Sequence, residues 1–387
     1  MYNYNLKQYK TTKKERYGKV YNYPVVKKKT KKKVKKRNFV KAFLASIIWI
    51  TALGYSTYVN YENFFEPAYL NRINNRNIKY DAENFTSPTL KYANNLNFMG
   101  KNLRASIPLK GKEKIITINP TGTNEVLQSK INDITAKYKH LKAGVYIYDY
   151  STGKTVEINS DETFSTASII KFPILLNLFC LSKNLEKEGF DPIDLNKKVI
   201  FEELHKTEGS GELQYGKAGE EYTIDTLAKL MMRNSDNSAT NMLIEQTGGI
   251  NSINSSLRHW GFKKTTIRNW LPDLEGTNVS TPKELATLLY NIDNTAFLPQ
   301  KSRLKVKEYM SNVKNTSLLK SQIPDNAEII HKTGDIGKML GDAGIIYTPE
   351  GKKIIMVIMV KRPHNDYSAR DLIQEITKEA YSTLSKV

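Results

Sequence analysis

Residues 168–181 read Ser168-Ile169-Ile170-Lys171-Phe172-Pro173-Ile174-Leu175-Leu176-Asn177-Leu178-Phe179-Cys180-Leu181. A serine with a lysine three residues on opens the run. Apolar side chains then fill nearly every position, the pattern of a helix buried all round. Working outward from this stretch sets the fold class. On its N-terminal side Val126, Leu127, Ile131, Ile134 and Tyr138 recur at helical spacing, and two short strands, Ala143–Tyr150 and Lys154–Ile158, flank the turn Ser151-Thr152-Gly153. On its C-terminal side the pattern stays helical to about Asn315. The clearest start signal there is Ser280-Thr281-Pro282-Lys283-Glu284, with Thr281 as N-cap, Pro282 in the first turn and Glu284 closing a capping box. Three strands follow, near Ile329–Thr333, Ala343–Thr348 and Ile354–Val360, and an amphipathic helix runs from about Ala369 to Leu384. This order predicts one α+β domain over residues 121–387. Its five-stranded antiparallel sheet has the first and last helices on one face and a mostly helical subdomain on the other.

The rest of the 387-residue chain is different in kind. The formal net charge is +20, but residues 1–41 hold sixteen Lys and Arg against one acid, Glu15, and so carry +15 of it. The basicity therefore belongs to a tail, and the folded part does not read as a nucleic-acid binder. Residues 42–61 are uncharged, with the apolar centre Ala42-Phe43-Leu44-Ala45-Ser46-Ile47-Ile48-Trp49-Ile50. As a helix such a segment spans roughly 30 Å, the thickness of bilayer hydrocarbon. A cleaved signal peptide is a poorer reading, because its charged region is far shorter than 41 residues. We therefore expect a single-pass anchor at 42–61, a cytoplasmic tail at 1–41, and the domain at 121–387 outside the cell, since Lys and Arg stay on the cytoplasmic side. Residues 62–120, rich in Asn, Tyr and Lys and carrying Pro67, Pro88, Pro108 and Pro120, read as an extracytoplasmic linker. The lone Cys180 cannot form an internal disulfide, and five scattered histidines give no zinc spacing. No metal or other cofactor is expected.

The chemistry lies in three strings: Ser168-Ile169-Ile170-Lys171, Ser235-Asp236-Asn237 and Lys332-Thr333-Gly334. A serine hydroxyl is a weak nucleophile and needs a base. At i,i+3 on a helix the Lys171 amine reaches it, and lysine can serve once burial or a neighbouring cation lowers its pKa. The chain contains six Ser-x-x-Lys strings, but only Ser168 opens a strongly apolar helix. Ser235 is placed to relay a proton to a leaving nitrogen, and Asn237 to hold Lys171 and a substrate carbonyl. Lys332 and Thr333, at the end of an edge strand, suit a substrate carboxylate, with Gly334 letting the substrate lie against the backbone. This is the set for acyl transfer through a serine ester.

The three strings in this order resemble those of the class A β-lactamase-like serine hydrolases. So do Gly209-Ser210-Gly211-Glu212-Leu213-Gln214, Ser235-Asp236-Asn237-Ser238-Ala239-Thr240-Asn241-Met242-Leu243 and Gly341-Asp342-Ala343-Gly344-Ile345-Ile346-Tyr347. The resemblance implies Ser168 as acylated nucleophile, Lys171 as base, Ser235 as proton shuttle and Lys332 as electrostatic anchor. It also implies an oxyanion hole from the backbone N–H groups of Ser168 and Asp335. The expected substrates are β-lactams or the peptide stems of peptidoglycan.

One segment departs from the family. Its lactamases carry a Glu that activates the deacylating water, in a Trp-Glu-Pro-Glu-Leu-Asn-like stretch. Here the stretch is Asn269-Trp270-Leu271-Pro272-Asp273-Leu274-Glu275, with Leu271 in place of that Glu and Glu275 in place of the Asn. A leucine cannot act as a base. Either Asp273 or Glu275 substitutes for it, or the acyl-enzyme turns over slowly, or the acceptor is not a lone water. The expectation is a slow β-lactamase, with a D-alanyl-D-alanine peptidase-like enzyme or a non-catalytic wall-binding protein as alternatives.

Overall fold

The computed structural model describes residues 115–187 and 194–386. The tail 1–41, the segment 42–61 and most of the linker lie outside these residues. Among those described, no helix is long and apolar enough to cross a membrane.

The elements in chain order are β1 (Gly122–Thr123), α1 (Glu125–Lys137), β2 (Lys142–Asp149), β3 (Lys154–Ile158), β4 (Phe164–Ser165), α2 (Lys171–Lys187), β5 (Lys198–Ile200) and β6 (Glu221–Thr223). They continue with α3 (Ile224–Arg233), α4 (Asn237–Gln246), α5 (Gly249–His259), β7 (Val279–Ser280), α6 (Pro282–Tyr290), α7 (Gln300–Ser311), β8 (Glu328–Ile336), β9 (Met339–Tyr347), β10 (Lys353–Lys361) and α8 (Ser368–Leu384). The main sheet has six strands rather than five, in the order β1-β3-β2-β10-β9-β8. The added strand is the two-residue β1, which pairs parallel to β3 through Gly122 opposite Lys154 and Thr123 opposite Thr155. The five anticipated strands pair antiparallel, leaving β8 as an edge.

Side chains of a strand alternate between faces, and β10 shows the result. Ile354, Met356, Ile358 and Val360 enter one core with Leu127, Ile131 and Ile134 of α1 and Leu372, Ile373 and Ile376 of α8. Ile355, Val357 and Met359 enter the other, with Ile174, Leu175 and Leu178 of α2 and Leu285 and Leu288 of α6. Terminal helices thus cover one face and the middle block the other, and β10 is apolar on both because neither face meets water.

Two local expectations change. Thr281 caps α6 by accepting from the Glu284 N–H at 3.1 Å. The Glu284 carboxylate, however, turns to the N–H groups of Lys263, Lys264 and Thr265, so the capping box is half formed. The end of the stretch read as linker also packs on the domain: Ile118 is buried, and the Asn291 amide exchanges two hydrogen bonds with the Ile116 backbone, at 2.9 and 2.8 Å.

Candidate active site

Ser168 lies in a single 3₁₀ turn, Ala167–Ile170, that feeds into α2 at Lys171. The turn is entered through Ala167 at φ 44°, an uncommon conformation for a residue with a Cβ, and Ser235 is held at φ 54°. Strained backbone therefore sits at Ser235 itself and immediately before Ser168.

Lys171 is the centre of the cluster. Its Nζ donates to Ser168 Oγ at 3.0 Å, Ser235 O at 2.6 Å, Ser235 Oγ at 3.2 Å and Asn237 Oδ1 at 2.7 Å. Lys332 approaches from β8, donating from Nζ to Ser235 Oγ at 3.1 Å and to Thr333 O at 2.9 Å. Both ammonium groups are fully buried. Burial, and then the charge of Lys332, push the Lys171 pKa well below that of an ordinary lysine, against a smaller opposing pull from Asp236. Burial lowers Lys332 to about 8, offset in part by Asp342. Ser168, Lys171, Ser235, Asn237 and Lys332 thus converge, with a lysine whose pKa is pushed down within reach of a serine hydroxyl and a second lysine one hydroxyl away.

The support for this cluster was less visible in the sequence. Asp236, fully buried, caps α4 through Ala239 N–H at 2.9 Å and accepts from the N–H groups of Glu212 and Leu213 at 2.7 and 2.9 Å. One carboxylate so joins the Ser-Asp-Asn string to the Gly209–Gln214 segment. Gly211 makes the contact possible, at φ +107° and with space for a Cβ only 2.2 Å from Asp236 Oδ2. Asn237 spans the same junction, donating from Nδ2 to Glu208 O at 3.2 Å. Asp in the string was a readable N-cap signal.

The third string is placed somewhat differently from expectation. β8 continues to Ile336, so Lys332-Thr333-Gly334 sits inside the strand. Gly334 accommodates the chain itself: a Cβ there would come within 2.5 Å of Thr166 O and 3.1 Å of Ile169 N. The glycine lets β8 close on the Ser168 turn. Thr333 is buried, and Asp335 is half exposed with its carboxylate ion-paired to buried Arg362.

In the departing segment, Leu271 is buried and its backbone is clamped by Asn241, which accepts from its N–H at 2.9 Å and donates to its carbonyl at 2.7 Å. Asp273 is also buried, unlike a solvated loop acid. It accepts from Asn278 N–H at 2.6 Å and Thr277 Oγ1 at 2.9 Å, closing the loop on itself. Glu275 is exposed.

Comparison with known proteins agrees with this geometry. Residues 126–384 match the family described as "Beta-lactamase enzyme family". The chain belongs to that family. A β-lactamase of Bacillus licheniformis is 27% identical over 69% of this chain and 87% of its own length, and the ROB-1 β-lactamase of Haemophilus influenzae is 28% identical over the same shares. Among solved structures, PBP-A matches with a TM-score of 0.65 and 34% identity, over 70% of this chain and all of PBP-A. A leucine-to-glutamate mutant of PBP-A, captured as an acyl-enzyme with penicillin G, matches at 33% identity. This β-lactamase-family chain is a serine hydrolase of the β-lactamase type.

Proposed function

We propose that β-lactams acylate Ser168 and that the ester is released slowly. The observation that carries this is the buried Lys171 amine 3.0 Å from Ser168 Oγ. Neutral Lys171 takes the hydroxyl proton while the Oγ–carbonyl bond forms. Ser235, 3.2 Å from Lys171 and 3.1 Å from Lys332, passes a proton to the departing lactam nitrogen as the C–N bond breaks. The Lys332 charge holds the substrate carboxylate. Hydrolysis of the ester then needs a base for water, and Leu271 offers none.

A second reading, a D-alanyl-D-alanine peptidase-like enzyme acting on peptidoglycan stems, is favoured by the likeness to PBP-A, higher in identity than that to the two β-lactamases. Both readings use the same acyl-Ser168, and both suit an enzyme held outside the cell membrane by residues 42–61.

Intact mass after mixing with a penicillin tests the chemistry. We expect an adduct that persists, and none in Ser168→Ala. Rapid return to the unmodified mass overturns slow release, and a folded wild type that never acquires the adduct overturns the acyl-serine reading. Removal of residues 1–61 should move the protein from the membrane to the soluble fraction.

A further inference from the structure

Resting on the acyl-serine reading, we propose that Arg362 is a positioning residue for acylation. It holds the Asp335 carboxylate and cancels its charge where an oxyanion forms beside Ser168. The resemblance gives Asp335 a role through its backbone N–H only. Its side chain, and the arginine that meets it, are left to be accounted for.

The backbone sets Asp335 at the site. Ile336 and Met339 pair across the two-residue turn Gly337-Lys338, so they exchange hydrogen bonds and the ladder alternates from there. Lys332, Gly334 and Ile336 bond to β9, and the Asp335 N–H points off the outer edge of β8. Both neighbours of Asp335 are packed tightly. A Cβ on Gly334 would come within 3.1 Å of Ile169 N, and Ile336 Cδ1 lies 3.2 Å from where a Cβ on Gly276 would stand. Asp335 is therefore fixed by contacts with the Ser168 turn before it and with the 269–278 loop after it.

An acid at this position works against the reaction. As Ser168 Oγ bonds to the substrate's carbonyl carbon, an electron pair of the C=O bond moves onto oxygen. A carboxylate nearby raises the energy of that negative charge. Arg362 offsets it. Its guanidinium pairs with the Asp335 carboxylate, and its side chain is only 5% exposed against 54% for Asp335. The same fork reaches two backbone carbonyls, Nε donating to Gly337 O at 3.2 Å and Nη1 to Asp366 O at 3.3 Å. Gly337 O also accepts from Asn365 N–H at 2.7 Å, and the Arg362 N–H donates to Lys338 O at 3.0 Å. The cation is thus fixed on the β8–β9 turn and on the 362–366 loop at once. It stands ready to draw the carboxylate in at little cost in side-chain freedom.

The test uses the full chain and penicillin G, with stopped flow separating the acylation rate constant from the dissociation constant of the complex before it. We expect Arg362→Gln to slow the rate constant about twentyfold, the scale of one unit charge several ångströms from the reacting oxygen. The dissociation constant should stay within about twofold. Removing the acid as well, in Arg362→Gln/Asp335→Asn, should return the rate constant to within about threefold of wild type. Arg362→Lys keeps the charge and should stay within about fivefold, and Asp335→Asn alone should acylate at least as fast as wild type. A wild-type rate in Arg362→Gln overturns the proposal, as does a loss confined to the dissociation constant. A double variant no faster than Arg362→Gln overturns it too, since the arginine then serves the shape of the turn and not the charge at 335. If Arg362→Gln does not fold, the other two single variants decide, and a loss of about tenfold or more in either overturns the proposal. In each of these cases the wild type still labels and the acyl-serine reading stands. A folded wild type that never labels removes that reading and this proposal together.

Discussion

The Ser168 turn and the 269–278 loop touch, through the Thr166 N–H and hydroxyl that both donate to Asn278 O at 2.9 and 3.0 Å, yet they are furnished in opposite ways. Around Ser168 the polar atoms face one another across the cleft: a hydroxyl, two ammonium groups, a second hydroxyl and an amide within 3.2 Å of a neighbour. In the loop the polar atoms face inward, with Asp273 bonded to the loop's own Thr277 and Asn278 and the Leu271 backbone taken up by Asn241. One region is spent on reactivity and the other on holding its own shape. Forming an acyl-enzyme and discharging it are separable tasks, and this chain has polar groups arranged for the first.

The sharpest way to break that contrast is to remove the amine. Lys171→Met leaves Ser168 without a base, and the second-order rate of penicillin acylation should fall at least ~10³-fold, within the range for removing a positioned general base. Stopped-flow labelling measures it. A fall under tenfold would mean that Ser168 is activated from elsewhere. Next in size is Leu271→Glu, which puts a carboxylate at a position whose backbone Asn241 already fixes. Deacylation, followed by loss of the mass adduct, should speed up about 10²-fold while acylation changes little. An unchanged release rate would show that the glutamate cannot reach the ester from this loop.

The contrast also says what a sequence can display. The three strings were legible because acyl transfer demands particular residue types, and their meeting in space follows from the fold they belong to. The layering was legible too, because α1, α8 and the strands carry their periodicity locally. What stayed hidden depends on partners far along the chain. The two-residue β1 has no apolar pattern and becomes a strand only by pairing with Lys154 and Thr155. Glu284 looked like the partner of its own N-cap, but the turn at 263–265 offers it three N–H groups. Gly334, read as room for a substrate, also has a neighbour the sequence did not display, since a Cβ there would come within 2.5 Å of Thr166 O.

A smaller effect separates the two lysines by pH. Lys171 must be neutral to act as base, so acylation rises with pH through its lowered pKa. Lys332 must be charged to hold a carboxylate, so acylation should fall as pH passes about 8, approaching tenfold per unit beyond it. In Lys332→Met the alkaline limb should vanish and the acid limb should move to higher pH, because the cation that helps depress Lys171 is gone. An alkaline limb that stays in place belongs to another group. For stability the sign is reversed. Burying charged Lys332 is unfavourable, so its contribution improves as pH rises from about 8 towards the ordinary lysine value of 10.5.

The last test asks whether Asp273 belongs to the loop or to the reaction. Asp273→Asn keeps the size of the side chain but replaces two charged hydrogen bonds in a buried place with neutral ones, the NH₂ either facing Asn278 N–H or requiring the Thr277 hydroxyl to turn from donor to acceptor. Stability should fall by about 1–3 kcal/mol, read from the urea midpoint at unchanged slope. Release of the penicilloyl ester, by contrast, should hold its wild-type rate at a temperature where the variant is folded. If release instead slows tenfold or more with stability preserved, the carboxylate is the water's base. The loop would then take part in the chemistry, and the division between a reactive region and a structural one would fail at that residue.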